Sequence, residues 1–160
     1  MILRHGIYHV RGDVTVPVVA AAGTTVIAHL GNDRRVWGKS ALTKALDARY
    51  PAHGAAFVHV TPRYGDIFAT RPEPTVVICS LYGLVTPEIS GQYLDYGLFE
   101  QAVETMADAC RAHRFNSYTG QITFHMPRIG EGTSGGDWGV VEAIIENHVA
   151  RTWPVFVYSR

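Results

Sequence analysis

Two nearly uninterrupted apolar runs, Thr24–Leu30 and Thr75–Tyr82, set the tightest limit on how this 160-residue chain can fold. A strand that is apolar on both faces has to be covered on both faces, which places these two in the interior of a sheet. No apolar run approaches the length needed to span a bilayer. Around them the chain alternates. Gly6–Arg11, Ile122–Met126 and Val155–Ser159 read as further strands, and Ala55–Val60 and Asp66–Thr70 as short β-favouring pieces. Arg71–Pro74 reads as a turn, Pro87–Gly91 as the opening of a loop and Asn116–Gln121 as a polar turn. Gly38–Tyr50 carries Leu42, Ala45, Leu46 and Arg49 at helical spacing, with Pro51 as its stop. Leu94–His113 sets Leu98, Ala102, Val103, Met106 and Cys110 on one helical face, and Trp138–Val149 is a last helix. A β-rich start passing into β-α-β-α-β predicts an α/β sheet with helices on both sides.

Charge and composition exclude several function classes. Lys+Arg and Asp+Glu number 14 each, so nothing attracts the chain to a nucleic-acid backbone or an anionic membrane. No sequence-specific nucleic-acid binding and no membrane association are expected. The eight histidines are scattered, and only His5/His9 have the four-residue spacing of a helical ligand pair, so no metal site is expected. Cys79 and Cys110 form no redox or metal motif and read as buried thiols. The Met1-Ile-Leu-Arg-His-Gly6 start lacks the pattern of a signal peptide, making cytoplasmic the expected location.

Ligands in α/β sheets bind beyond the carboxyl ends of central strands, and two loops fit that place. Gly130, Gly132, Gly135 and Gly136 lie between a strand and a helix starting near Asp137. Glycines let backbone N–H groups approach a ligand, and a helix start favours a phosphate. Such a loop is an anion site or an ordinary tight turn, with Asp137 capping the helix in either case. It matches neither the G-x-G-x-x-G fingerprint nor a P-loop. The other loop, Gly31-Asn-Asp-Arg-Arg-Val-Trp-Gly-Lys-Ser40, offers Asn32 and Asp33 to sugar hydroxyls. Its Lys39 and Ser40 fall in the first helical turn, where a lysine is misplaced unless an anion is near. Alone, this is equally an Asn-Asp turn before a capped helix. Two such loops at one sheet edge suit a ligand with two phosphates.

The stretch Met126-Pro-Arg-Ile-Gly-Glu-Gly-Thr-Ser-Gly-Gly-Asp-Trp138, followed by Val141-Glu-Ala-Ile-Ile145, resembles the second loop and last helix of macro domains. Gly12-Asp-Val-Thr15 is similar to the motif after their first strand. Ile27-Ala-His-Leu-Gly-Asn32 with Trp37-Gly-Lys39, and the helix ending Arg49-Tyr-Pro51, are similar to their first loop; Val157-Tyr158 fits their close. The likeness keeps its order over nearly the whole chain and implies a single macro domain over 1–160. Its fold would be a three-layer α/β/α sandwich on a mixed sheet.

The resemblance implies an ADP-ribose cleft that needs no cofactor and takes ADP-ribose or an ADP-ribosylated protein as partner. Asp13, as a buried carboxylate, would accept from the adenine amino group beside Val14, and Tyr158 would border the base. Trp37, Gly38, Lys39 and Ser40 on one side, with Gly130, Gly132, Thr133, Ser134, Gly135 and Gly136 on the other, would enclose the diphosphate. Asn32 would face the distal ribose, with Tyr82 there or in the core. Asn32, Asp33 and Ser134 are the candidate catalytic residues, positioning a water rather than supplying a strong base. His29 and His125 read as hydrogen-bonded core residues.

The likeness has gaps. One macro branch cleaves ester-linked ADP-ribose with a lysine and an aspartate, but Ile78-Cys-Ser-Leu-Tyr82 and Gly132-Thr-Ser-Gly135 hold neither. Another carries Asn-Ala-Ala-Asn and a triple glycine, both absent. Arg34-Arg35-Val36 stands where small glycines are usual. Three functions remain: hydrolysis of O-linked mono-ADP-ribose from acidic side chains, removal of the 1''-phosphate from ADP-ribose 1''-phosphate, and non-catalytic reading or sequestering of ADP-ribose.

Overall fold

The computed structural model describes residues 3–17, 23–86, 93–115, 120–131 and 135–160. Its elements are β1 (Gly6–Arg11), β2 (Gly23–Gly31), α1 (Ala41–Arg49), α2 (Pro51–Phe57), β3 (Ile67–Glu73), β4 (Val76–Tyr82), β5 (Leu84–Val85), β6 (Tyr93–Leu94), α3 (Tyr96–Arg111), β7 (Gln121–Pro127), α4 (Trp138–Ile145) and β8 (Pro154–Ser159). Six strands form one mixed sheet in the order β1-β8-β7-β2-β4-β3. Every neighbouring pair is parallel except β3 with β4, which places the antiparallel strand at the edge. The α/β, helix-covered sheet expected from the two apolar runs is the observed fold. Those runs are β2 and β4, paired side by side in the interior.

Period-2 alternation divides each central strand between two cores. Val26, Ala28, Val77, Cys79, Phe124, Met126 and Val155 face Phe99, Val103 and Met106 of α3 and Val141 and Ile145 of α4. Ile27, Ile78, Phe156 and Tyr158 face Leu46 and Tyr50 on the other side, under α1. Three layers result because neither side of the sheet can be left to water. Cys79 and Cys110 are buried free thiols. Among the described residues, no helix is long and apolar enough to cross a membrane.

Local chemistry moves several boundaries. Ser40 caps α1 by accepting from Thr43 N at 3.1 Å, so the helix starts at Ala41 and Lys39 precedes it rather than lying in its first turn. Asp95 caps α3, which starts at Tyr96, while Leu94 sits in the short β6. Ala55–Val60 is not β structure. Pro51 ends α1 and also opens α2 as its first residue, where its fixed φ suits a helix and its missing N–H costs nothing. The new helix buries His53 and Phe57, four residues apart on one face. Arg71–Pro74 is not a separate turn, because β3 continues to Glu73 with a register shift after Thr70. Pro72 is tolerated there because β3 is an edge strand. The last helix is α-helical to Ile145 and continues as a π-helical turn over Glu146–Ala150. Pro87–Gly91 and most of Asn116–Gln121 lie outside the described residues; Gln121 itself begins β7.

The sheet face under α1 and α2 is partly polar. His53 Nε2 and His29 Nε2 both bond the Ser80 hydroxyl, at 2.8 and 2.7 Å, and His53 Nδ1 bonds Thr70 Oγ1 at 2.6 Å. On β7, His125 bonds Thr123 Oγ1 at 2.9 Å and the Tyr158 hydroxyl at 2.7 Å, and it stacks on Phe156. Both expected core histidines, His29 and His125, are buried and hydrogen-bonded. Desolvation lowers His29 and His125 to about 4, and it lowers His53, with a further push from His29, to about 3. Their ordinary value is 6.5, so the unfolded chain takes up protons that the fold refuses. Stability from these three sites is complete above about pH 6.5 and is lost as pH falls towards 4. Acidifying from pH 6.5 to 5, before most carboxylates titrate, should cost on the order of 4 kcal/mol. Urea melts across that range should show it, and His125→Gln should remove about a third of the slope. A midpoint flat from pH 6.5 to 5 would refute the assignment.

Candidate functional site

Five parallel strands end at the same edge of the sheet, so the segments after β1, β2, β4, β7 and β8 share one rim. From β2 the chain moves outward to β4 and β3, then returns through α3 to β7 and continues to β8 on the opposite side. The boundary between β2 and β7 is therefore the topological switch point, where an open α/β sheet leaves a crevice. A cavity of about 560 Å³ lies there, within the size range of small-molecule sites. Its walls come from the loop after β2 (Asn32, Arg34, Val36, Lys39, Ser40), the segment after β7 (Arg128, Ile129, Gly130, Glu131), and Leu84 and Thr86 beyond β4. Leu42 and Pro127 also border a second hollow of about 290 Å³ lined by Asp13, Val14, Tyr158 and Arg160. The two hollows adjoin at Leu42 and Pro127 and together form the groove along the strand ends, with Asp13 lining one and Arg34 the other.

At the first extremity, Asp13 Oδ1 accepts from the Thr15 N–H at 2.9 Å and from its hydroxyl at 2.8 Å. The Thr15 backbone bond, followed by the hydroxyl bond, holds this carboxylate below its ordinary pKa. Asp13 is exposed, contrary to the buried carboxylate expected, because a two-residue turn onto Thr15 leaves it on the rim. Val14 and Tyr158 beside it are buried.

The loop after β2 is folded around its own asparagine. Asn32 Oδ1 accepts from Arg34 N (3.1 Å) and Val36 N (3.0 Å), while Nδ2 donates to Val36 O at 2.7 Å. Asp33 Oδ2 accepts from the Tyr64 hydroxyl at 2.6 Å and from Thr86 N at 3.2 Å. Desolvation raises the Asp33 pKa, but these bonds outweigh it and leave the group below its ordinary value. Asn32 borders the cavity, whereas Asp33 pins the loop to its neighbours. Arg34 lines the cavity and donates to Thr86 O at 3.3 Å; Arg35 donates to Thr61 Oγ1 at 3.0 Å instead. Arg35 has φ of +56°, a left-handed backbone that glycine would adopt without strain.

The loop after β7 closes on itself. Gly136 N donates to Gly130 O at 2.9 Å, and Gly130 has φ of +92°. A Cβ on Gly136 would stand 2.9 Å from the Gly130 backbone and from Leu94 Cδ2, so only glycine fits this crossing. Asp137 caps α4 through Gly139 N at 2.8 Å, and its own N–H donates to the Tyr96 hydroxyl. Gly132, Thr133 and Ser134, including the third catalytic candidate, lie outside the described residues.

Among the described candidates, the groove gathers Asp13, Val14, Asn32, Lys39, Ser40, Gly130 and Tyr158. Trp37 and Gly38 are on the same loop, but the Trp37 ring turns down onto His29, His53 and Phe57. Tyr82 lies in the core, its ring stacked on Phe57. Gly135 and Gly136 belong to the closed loop without lining the groove. Arg128, Glu131, Leu84 and Thr86 line the groove without having been singled out from the sequence. Arg128 and Glu131 form an ion pair, and Arg128 lies over the Trp138 ring. Arg128 stands inside the motif Met-Pro-Arg-Ile-Gly, which was the one signal for it. Leu84 and Thr86 come to the cavity only through the strand order. Glu100, Glu104 and His148 bring three donor atoms within 4.8 Å of one another, with His148 bonded to Glu100 at 2.8 Å, but none of them lines the groove.

No family model and no curated protein matches this chain. Solved structures do. A protein of unknown function from Bacteroides thetaiotaomicron aligns with a TM-score of 0.81 at 26% identity, over 96% of this chain and 98% of the other. The ADP-ribose complex of Thermosipho africanus DarTG aligns with a TM-score of 0.71 at 13% identity, over 96% of this chain and 41% of that one, a likeness of fold alone. A macrodomain protein from Streptomyces coelicolor aligns with a TM-score of 0.76 at 30% identity, over 96% of this chain and 99% of the other. With a macrodomain sharing that identity over its whole length, and the groove at the switch point of the same fold, the chain belongs to the macrodomain family.

Proposed function

We propose that this chain acts as a single macro domain over residues 1–160 and binds ADP-ribose along the groove. On this reading it hydrolyses O-linked mono-ADP-ribose from acidic side chains. The observation that carries the proposal is the pair of adjoining hollows across the strand ends, one lined by the Asp13 carboxylate and the other by Arg34, Lys39 and Ser40. Adenine lies at Asp13, beside Val14 and Tyr158. The diphosphate lies between Lys39–Ser40 and the loop of Gly130, Gly132, Thr133, Ser134, Gly135 and Gly136. The distal ribose meets Asn32. The first turn of a helix has N–H groups beyond its internal bonds, which suit a phosphate at the start of α1.

Catalysis on this reading is positioning. Water adds to the distal ribose carbon and gives up a proton to solvent, the bond from that carbon to the acyl oxygen breaks, and the carboxylate leaves with its electron pair. The protein fixes the sugar and offers oriented donors. Ser134 and Asn32 are the proposed participants, and Asp33 holds the loop. Two alternatives each have an observation in their favour. Arg34 on the cavity wall favours a terminal phosphate, hence a phosphatase acting on ADP-ribose 1''-phosphate. The engagement of the Asn32 side chain within its own loop, and of Asp33 with Tyr64 and Thr86, favours a non-catalytic reader.

Calorimetry with ADP-ribose, together with turnover assays on glutamate-linked mono-ADP-ribosylated protein and on ADP-ribose 1''-phosphate, separates these readings. Saturable binding with release from the protein substrate is the expected result. Binding without turnover of either substrate would leave the reader, and no binding would end the proposal. Asn32→Ala removes three loop bonds and should weaken both binding and turnover at least about tenfold; unchanged turnover would remove Asn32 from the site. Asp13→Asn keeps an acceptor for Thr15 but turns one oxygen into a donor facing the adenine amino group. It should weaken ADP-ribose about tenfold while leaving the melting midpoint close to the parent's.

A further inference from the structure

The loop over the cavity rests on a glycine that lines no part of the cavity. Gly54 lies buried in the middle of α2, where glycine is worse for the helix than alanine by about 1 kcal/mol. Its neighbours Ala52, Ala55 and Ala56 are all alanine. The reason for the exception is Trp37. A Cβ at position 54 would fall well inside van der Waals contact of Trp37 Nε1 and Cδ1, and 2.7 Å from Cε2. Moving the indole aside would break its packing on His29, His53 and Phe57, whose ring centroids lie at 5.3, 5.2 and 5.2 Å. The surface beneath it is rigid as well, because Ser80 ties His29 to His53 and Thr70 holds the far side of His53.

Trp37 stands between Val36 and Lys39 of the cavity wall, and Asn32 ties Val36 at both its N–H and its carbonyl. A displacement of the indole therefore moves the wall. We propose that Gly54 is a positioning residue for the ligand. By leaving room for the Trp37 ring on α2, it sets the height of the 32–40 loop and so the fit of the diphosphate and distal ribose. The ligand named here rests on the ADP-ribose reading; the seating of the loop does not.

The test uses Gly54→Ala, Trp37→Leu and the double variant in the full chain. Gly54→Ala should weaken ADP-ribose about tenfold while leaving AMP, which lacks the distal ribose, nearly unaffected. In the Trp37→Leu background the alanine should cost nothing further, because the group it displaces is gone. Equal ADP-ribose affinity for the parent and Gly54→Ala would overturn the proposal, as would an identical loss with and without Trp37. The three tryptophans of the chain also give a readout that needs no ligand. In fluorotryptophan-labelled protein, Gly54→Ala should shift mainly the resonance that Trp37→Leu deletes; an unmoved resonance would refute the seating itself. If the parent fails to bind ADP-ribose, the functional reading fails while this shift still decides the seating. Should Gly54→Ala not fold, the double variant is expected to fold, and a double variant equally unfolded would overturn the clash with Trp37.

Discussion

Burial of β2 and β4 on both faces is the constraint from which the rest of the molecule follows. Two strands without a solvent face need helices above and below, and helical crossovers run their strands parallel. Parallel strands bring all their carboxyl ends to one rim, so residues as distant in sequence as Asp13, Asn32, Thr86, Arg128 and Tyr158 share one groove. The groove is thus a product of the same packing that makes the core. Only the loop chemistry is specific to a ligand.

The two faces of the sheet solve different problems. The face under α3 and α4 is filled with aliphatic and aromatic side chains and carries no part of the groove's polar chemistry. The face under α1 and α2 alternates Ile27, Ile78 and Phe156 with His29, Ser80 and His125. Buried polar groups are tolerated when each has partners, and here they pair with one another. Such networks fix ring orientations more tightly than apolar packing does. One member of each of the two touches the site directly: His29 lines the cavity and Tyr158 borders the Asp13 end. Rigidity of the floor and exposure of the loops are therefore divided between separate parts of the same layer.

Most of the architecture was legible in the sequence, because interior strands and long amphipathic helices announce themselves by period. Thr24–Leu30, Thr75–Tyr82 and the helix around Ala102–Cys110 needed no tertiary information. Ala55–Val60 reads as β-favouring because Phe57, Val58 and Val60 favour strands individually, while the segment's fate is set upstream by Pro51 and by the packing of His53 and Phe57. Arg71–Pro74 reads as a turn because a proline within a strand is allowed only at an edge, and edge position is a property of the whole sheet. The site divides in the same way. Asp13, Asn32 and the glycines came from motif resemblance, and the groove brings Asp13, Asn32 and Gly130 together. Leu84 and Thr86 could be joined to Arg34 only by knowing that β4 lies beside β2. Tyr82 and the Trp37 ring belong to the core because strand parity and helix packing, not motif membership, decide where a side chain points.

The 32–40 loop shows how an unusual sequence can keep the geometry of a usual one. Where small glycines are typical, this chain has Arg34-Arg35-Val36, and Arg35 still takes the left-handed backbone that glycine would fill without strain. A left-handed conformation in a non-glycine residue costs roughly 1 kcal/mol, so something must hold it. The holders are present: Asn32 binds Val36 from both sides, Asp33 binds Tyr64 and Thr86, Arg35 binds Thr61, and Trp37 anchors the end of the loop on α2. The loop is over-determined by its neighbours and not by its own propensity. Its side chains then reach the cavity, since Arg34 and Val36 line a wall to which glycines would contribute none. What changes is the surface turned to the cavity, while the fold beneath it stays the same.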